Sequence, residues 1–228
     1  MSRKARQPNS ARPFSAKGAL GLALAVGAGF AVLTLLRQNI APGEDLSQHQ
    51  WVEPIIAQSG HPVGGNPAGD ITVLVFSDYA CAICRISDPE IERAAEADGN
   101  VRIVYRPWPV FGPPSERAAR IAMASDAQGI FPKVNAKLLQ SRGLSEADLR
   151  QAVERSGGDW AAVEAELASD LAKIDSLLTA NHKAAFRLSL KGTPAYLVGR
   201  TLLRGKSNEA SFERAIAVAR EQQEQIPN

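Results

Sequence analysis

The sequence predicts an α/β domain with a helical insertion, preceded by an N-terminal transmembrane helix. Three observations carry this. A strand–helix–strand pattern fills about 35 residues from Asp70, a helical block runs from about 115 to 188, and a strand hairpin with a last helix closes the chain.

The N-terminus reads as an address. Arg3, Lys4, Arg6, Arg12 and Lys17 put five positive charges and no negative one into residues 1–17. The net charge of +2 is concentrated there, and the remainder stands at −3. That remainder has no net basic surface, which argues against a nucleic-acid partner. Gly18–Leu36 then gives 19 residues without a charged side chain. As a helix these span about 28 Å, close to the hydrocarbon thickness of a bilayer. The basic flank belongs in the cytoplasm, which sends everything after Leu36 to the far side. A cleaved signal peptide is the competing reading. Cutting near Ala25-Val26-Gly27 or Gly29-Phe30-Ala31 would leave Val32–Leu36 as an apolar stub, so an uncleaved signal-anchor over 18–36 is preferred.

Residues 37–69 read as a linker, broken by Pro42-Gly43, Gly60, Pro62, Gly64-Gly65 and Pro67. Within it Trp51, Val52, Ile55 and Ile56 fit one helical turn docking on the domain. The domain itself is assigned to 70–225. Ile71–Phe76 is apolar almost throughout, as a strand covered on both faces requires. A helix follows to about Ala97, then a strand over Val101–Tyr105 ended by Pro107 and Pro109, which favours parallel pairing.

Ser115 is placed to cap a helix stopped by Gly129. Ser145 with Asp148 forms a capping-box pattern. Asp159 opens a longer helix with Val163, Leu167, Leu171, Ile174 and Leu178 at three- and four-residue spacing. Ala195–Val198 and Thr201–Leu203 flank Gly199-Arg200 as a hairpin. A final helix from about Asn208 lines up Phe212, Ala215, Ile216 and Ala219. His49, His61 and His182 fall where surface or loop residues are expected.

The chain has two cysteines, Cys81 and Cys84, three positions apart. A zinc site would need two more ligands, and no spaced pair of histidines supplies them, so no metal is expected. A purely structural disulfide over so short a loop constrains the unfolded chain by about 2 kcal/mol, against about 5 for a 100-residue loop. A reactive dithiol fits the position better. The pair follows a buried strand and opens a helix, where unpaired backbone N–H groups and the helix dipole favour a thiolate. Cys81 is then the exposed nucleophile, and Cys84, one turn in, resolves the mixed disulfide. An exported setting is where such chemistry is needed.

These residues resemble the thioredoxin superfamily and, within it, the DsbA-like exported thiol–disulfide oxidoreductases. The resemblance runs over about 60–220. It rests on Gly65-Asn66-Pro67-Ala68-Gly69-Asp70, on Phe76-Ser77-Asp78-Tyr79-Ala80-Cys81-Ala82-Ile83-Cys84 and on Pro89 within the helix. It continues through Arg106-Pro107-Trp108-Pro109-Val110-Phe111-Gly112 into the helical insertion and ends on Gly192-Thr193-Pro194-Ala195, which resembles the family's cis-proline loop. A thioredoxin-like fold is implied. So is a substrate-binding role for Thr193 and Pro194, whose loop would lie beside the cysteines and offer backbone to an extended client. No cofactor is implied beyond a redox-active Cys81–Cys84 disulfide.

Two departures stand out. The dipeptide Ala82-Ile83 lacks the Pro or His often found there, and the strand Ile71–Phe76 lacks the acid that many relatives bury as a proton acceptor. Trp108 and Phe111 are candidates for a substrate groove or for loop packing on the core. The expected function is a membrane-anchored oxidase of exported proteins, with its domain in the periplasm or its equivalent. It would act on clients carrying thiols or disulfides and on a membrane or periplasmic redox partner. A reductase or isomerase using the same site, and a non-catalytic binding module, are the alternatives.

Overall fold

The computed structural model describes residues 26–29 and 42–224. Almost all of the proposed anchor, Gly18–Leu36, lies outside the described residues. Among those described, no helix is long and apolar enough to cross a membrane. Pro42 opens the compact unit that holds every element below.

Six strands form one sheet in the order β1-β6-β5-β3-β4-β2. They are β1 (Glu44–Asp45), β2 (Val63–Gly65), β3 (Ile71–Ser77), β4 (Val101–Pro107), β5 (Ala195–Val198) and β6 (Thr201–Arg204). β3 and β4 run parallel, and the other pairs are antiparallel. The alternation along β3 divides two cores. Ile71, Val73 and Val75 face the larger one, while Leu74 and Phe76 face the smaller.

The larger core is roofed by helix α2 (Cys84–Asp98), the last helix α7 (Glu209–Glu224) and the insertion. The insertion comprises α3 (Pro113–Ala124), α4 (Phe131–Gln140), α5 (Glu146–Arg155) and α6 (Trp160–Arg187). Ser145 and Asp148 complete the expected capping box, and Asp159 caps α6 through the N–H groups of Ala161 and Ala162. The long helix is broken at Asp170, whose φ/ψ are non-helical. Leu171, just past the break, is exposed rather than part of the stripe. Gly112, not Ser115, precedes the first turn of α3.

The linker reading of 37–69 is corrected from Pro42 onward. β1 pairs with β6 and β2 with β4, extending the sheet at both edges. Between them α1 (Val52–Ile56) buries Val52 and Ile55 in the smaller core with Leu46, against Leu74, Phe76 and Leu197. This segment shares the cover of the second face of β3 and β5 with Trp108 and with Ala184, Ala185, Leu188 and Leu190. Arg106 reinforces the join, donating to the Ile55 carbonyl at 3.5 Å and to the Gln58 side chain. Two of the glycines that suggested a tether are needed for close approach: a Cβ at Gly43 would sit 2.5 Å from the Leu202 carbonyl oxygen, and one at Gly65 2.4 Å from that of Val101. His61 is also corrected: it is buried, 2.8 Å from the Asn181 side chain.

Candidate active site

Strand direction brings the site together. Phe76 pairs with Ala195 and Ser77 with Pro107. The C-terminal ends of β3 and β4 and the N-terminal end of β5 therefore share one edge of the molecule. The loop with Cys81 leaves β3 there, the loop Trp108–Gly112 leaves β4, and Thr193-Pro194 enters β5.

The Cys81 thiol donates to the Thr193 carbonyl at 3.4 Å. It also accepts the Cys84 backbone N–H at 3.3 Å, as expected for a cysteine at a helix start. The Thr193–Pro194 peptide is cis. The three predicted elements, Cys81, Cys84 and the Thr193-Pro194 loop, are thus in contact. Both thiols are unlinked. One expectation shifts: Cys81 is only 4% exposed, against 0% for Cys84. The order holds, but the outer cysteine is buried as well, with the Thr193 carbonyl against its sulfur. Around it Ile83, Ile86, Val110 and Phe111 form an exposed apolar rim, while Trp108 turns inward and donates to His182. The Thr193 hydroxyl is buried without a partner among the described residues.

Asp78 ties the loops to each other. Its carboxylate is buried and accepts the N–H groups of Ala80 (2.8 Å), Val110 (2.6 Å) and Phe111 (3.2 Å), as well as the Ser115 hydroxyl. Ser115 thus serves the site rather than a helix cap. Arg85 braces the turn from below, donating to the carbonyls of Tyr79 and Ser141.

A second acid escaped the sequence reading. Asp88 lies on α2 one turn beyond Cys84 and is buried. Its two oxygens accept the hydroxyls of Ser77 and, at 2.6 Å, Tyr196. Burial pushes the Asp88 carboxyl up to about 7 against the pull of those hydroxyls, and the Glu92 charge adds to the push. Burial, followed by the Asp88 charge, drives the Cys84 thiol well above its ordinary value. The four-residue spacing from Cys84 is visible in the sequence, but nothing local marks Asp88 as buried.

Among the described residues, no group of three or more His, Cys, Asp and Glu side chains is gathered to hold a metal ion.

The chain is similar to known proteins. A thioredoxin-like oxidoreductase from Silicibacter pomeroyi DSS-3 is 30% identical, covering 74% of this chain and 97% of its own, with a TM-score of 0.69. The thiol-disulfide exchange protein alpha-DsbA2 from Wolbachia pipientis shares the fold at 20% identity, covering 84% of this chain and 98% of its own, with a TM-score of 0.69. The Na(+)/H(+) antiporter NhaA 1 of Salinispora arenicola is 27% identical over 160 residues, which are 69% of this chain. That stretch is only 24% of the antiporter, so the chain matches about a quarter of that curated relative. The family model described as DSBA-like thioredoxin domain matches residues 72–217. The chain belongs to the DSBA-like thioredoxin domain family.

Proposed function

We propose that the chain is a thiol–disulfide oxidoreductase that exchanges disulfides with exported proteins through Cys81 and Cys84, acting as an oxidase. The observation that carries this reading is the Cys81 sulfur, held between the Cys84 N–H and the Thr193 carbonyl. This puts the sulfur at the start of the helix and against the loop whose backbone a client could pair with. The cysteines, the 193 loop and the apolar rim support an extended, partly unfolded protein as client, held by backbone on one side and side chains on the other. The basic residues 1–17 and the uncharged run 18–36 support an inner-membrane anchor with the domain on the extracytoplasmic side.

In the oxidative direction a client thiolate attacks Cys81 Sγ in the Cys81–Cys84 disulfide, and Cys84 leaves. A second client thiolate then attacks the client's sulfur and expels Cys81, which leaves a client disulfide and a protein dithiol. A membrane or periplasmic redox partner would restore the disulfide. The reductase or isomerase reading draws on Ala82-Ile83, which brings no cation to Cys81. The reduction potential separates the two: near about −120 mV the oxidase stands, near about −270 mV the reductase replaces it. A Cys84→Ser variant should accumulate client adducts on Cys81. If accessible Cys81 captures none, the exchange reading fails and a binding module takes its place.

A further inference from the structure

We propose that the cleft between α4 and α5 docks an acidic, extended segment of the client beside the turn that carries Cys81. The inference rests on the reading of Cys81 and Cys84 as an exchange pair, and it names the kind of chain that this pair prefers.

Lys137, Ser141, Arg142, Asp148, Gln151 and Arg155 line a cleft of about 390 Å³. Its three cations outnumber its one carboxylate, and that one is engaged: Asp148 accepts the N–H and the hydroxyl of Ser145 in the cap of α5. The other acids of α5 are also taken. Glu146 pairs with Arg117 at 2.9 Å and Glu154 with Arg150 at 2.7 Å. Among the described residues, Lys137, Arg142 and Arg155 meet no carboxylate at ion-pairing distance. Lys133, one turn before Lys137, adds another exposed cation on that side of α4. The chain beyond residue 17 is net −3, so composition alone does not explain a positive excess here. A solvated helix face ordinarily mixes the signs, as Arg150 and Glu154 do. Gathering one sign without a counter-charge costs stability instead.

Arg85, the residue after Cys84, joins this cleft to the reactive turn. Its guanidinium donates to the Tyr79 carbonyl at 3.0 Å and to the Ser141 carbonyl at 2.5 Å, and Ser141 is part of the cleft wall. One side chain thus spans the gap between the two places. It meets carbonyls rather than a carboxylate, so its charge adds to that of the cleft. A client held by its backbone at Thr193, with its sulfur on Cys81, needs only about four to six more residues of extended chain to reach the cleft, at about 3.3 Å each. Carboxylates at that spacing would meet guanidinium and ammonium groups, which donate and do not accept. A lipid surface is the poorer occupant, because these cations stand on the walls of a cleft and a bilayer is flat. Such pairing acts on encounter and on the choice among clients, not on the sulfur chemistry.

The test takes the full-length chain in its disulfide form and three peptides that share one cysteine pair. They differ only in three flanking residues on each side, about four to six positions away, which are all Glu, all Gln or all Lys. At low salt kcat/KM for oxidation should be about tenfold higher for the Glu peptide than for the Gln peptide, and lowest for the Lys peptide. The Glu-to-Gln ratio should shrink towards one at about 1 M salt, where screening acts within about 3 Å. In Arg142→Gln/Arg155→Gln the low-salt ratio should fall to about one, and Arg142→Lys/Arg155→Lys should restore it. A difference intrinsic to the peptides would survive the first pair of substitutions. Binding is read separately by fluorescence anisotropy, with Ser in place of the peptide cysteines, and Kd should be at least about fivefold lower for the Glu peptide. Equal binding of the Glu and Gln peptides, or a rate ratio untouched in Arg142→Gln/Arg155→Gln, overturns the proposal and leaves the exchange reading intact. If those substitutions instead weaken sedimentation with phosphatidylglycerol vesicles, the cleft belongs to a lipid surface and the proposal falls. A binding preference for Glu with no peptide oxidised keeps the cleft and removes the exchange reading.

Discussion

The Asp78 carboxylate accepts the backbone N–H of Val110 at 2.6 Å, which pins the turn that carries Cys81 to the loop that leaves β4. The same side chain serves Ala80, Phe111 and Ser115, so its loss would strand several donors. Asp78→Ala should cost about 2–4 kcal/mol, read as a lowered urea midpoint at unchanged slope. Amide exchange at Val110 and Phe111 should quicken in step. A variant as stable as the wild type would contradict this account of the site.

Asp88 and His61 tilt stability against pH in opposite senses. The Asp88 carboxyl rises from 3.8 unfolded to about 7 folded, so the folded state holds a proton that the unfolded state has released between those values. Its contribution is greatest below about 4 and declines as pH climbs to about 7. Burial, helped by the Arg106 charge, takes His61 from 6.5 down to about 4. Its contribution is full above 6.5 and is lost as pH falls to about 4. Each slope is on the order of 1.4 kcal/mol per pH unit, so in the wild type they largely cancel. Asp88→Asn should therefore gain stability as pH rises from 4 to 6.5, and His61→Gln should lose it. Denaturant titrations across this range check both signs.

The segment before β3 should prove part of the domain. Ile55→Ala is expected to cost about 2–4 kcal/mol through the cavity it leaves. A chain beginning at Pro42 should melt with the full-length protein, and one beginning at Asp70 well below it. Equal melting temperatures for the two truncations would restore the linker reading.

Phe111 is 57% exposed beside the site. Phe111→Ser should leave stability within about 0.5 kcal/mol. KM for an unfolded protein client should rise about tenfold while the rate with a small aromatic disulfide stays put. An equal loss on both substrates would mean that Phe111 orders the site rather than meeting the client.

Much of this was written in short stretches of chain. The apolar run of β3, the hairpin around Gly199, the capping box at Ser145 and the pairing of Cys81 with the Thr193-Pro194 loop depend on neighbours or on a family pattern, and they can be read locally. What escaped depends on distant partners. The turn around Val52 and Ile55 is legible as a docking segment, but Leu46 and the edge strands on either side of that turn are not, because their partners in β6 and β4 lie far along the chain. Ser115 has the makings of a cap, but Asp78 claims its hydroxyl. His61 is buried because Asn181, 120 residues away, meets it. Asp88 looks like an ordinary helix-surface acid until Ser77 and Tyr196 close over it.

The edge strands carry one more consequence. β1 has two residues and β2 three, so neither border of the sheet offers a long row of free backbone groups. A protein that takes extended clients, as proposed for this chain, courts its own aggregation, since sticky clients add to open borders as readily as to a binding loop. Trimming those borders directs strand addition away from the flanks. It leaves the loop before β5, with the sulfur beneath it, as the place where a client's backbone is worth holding.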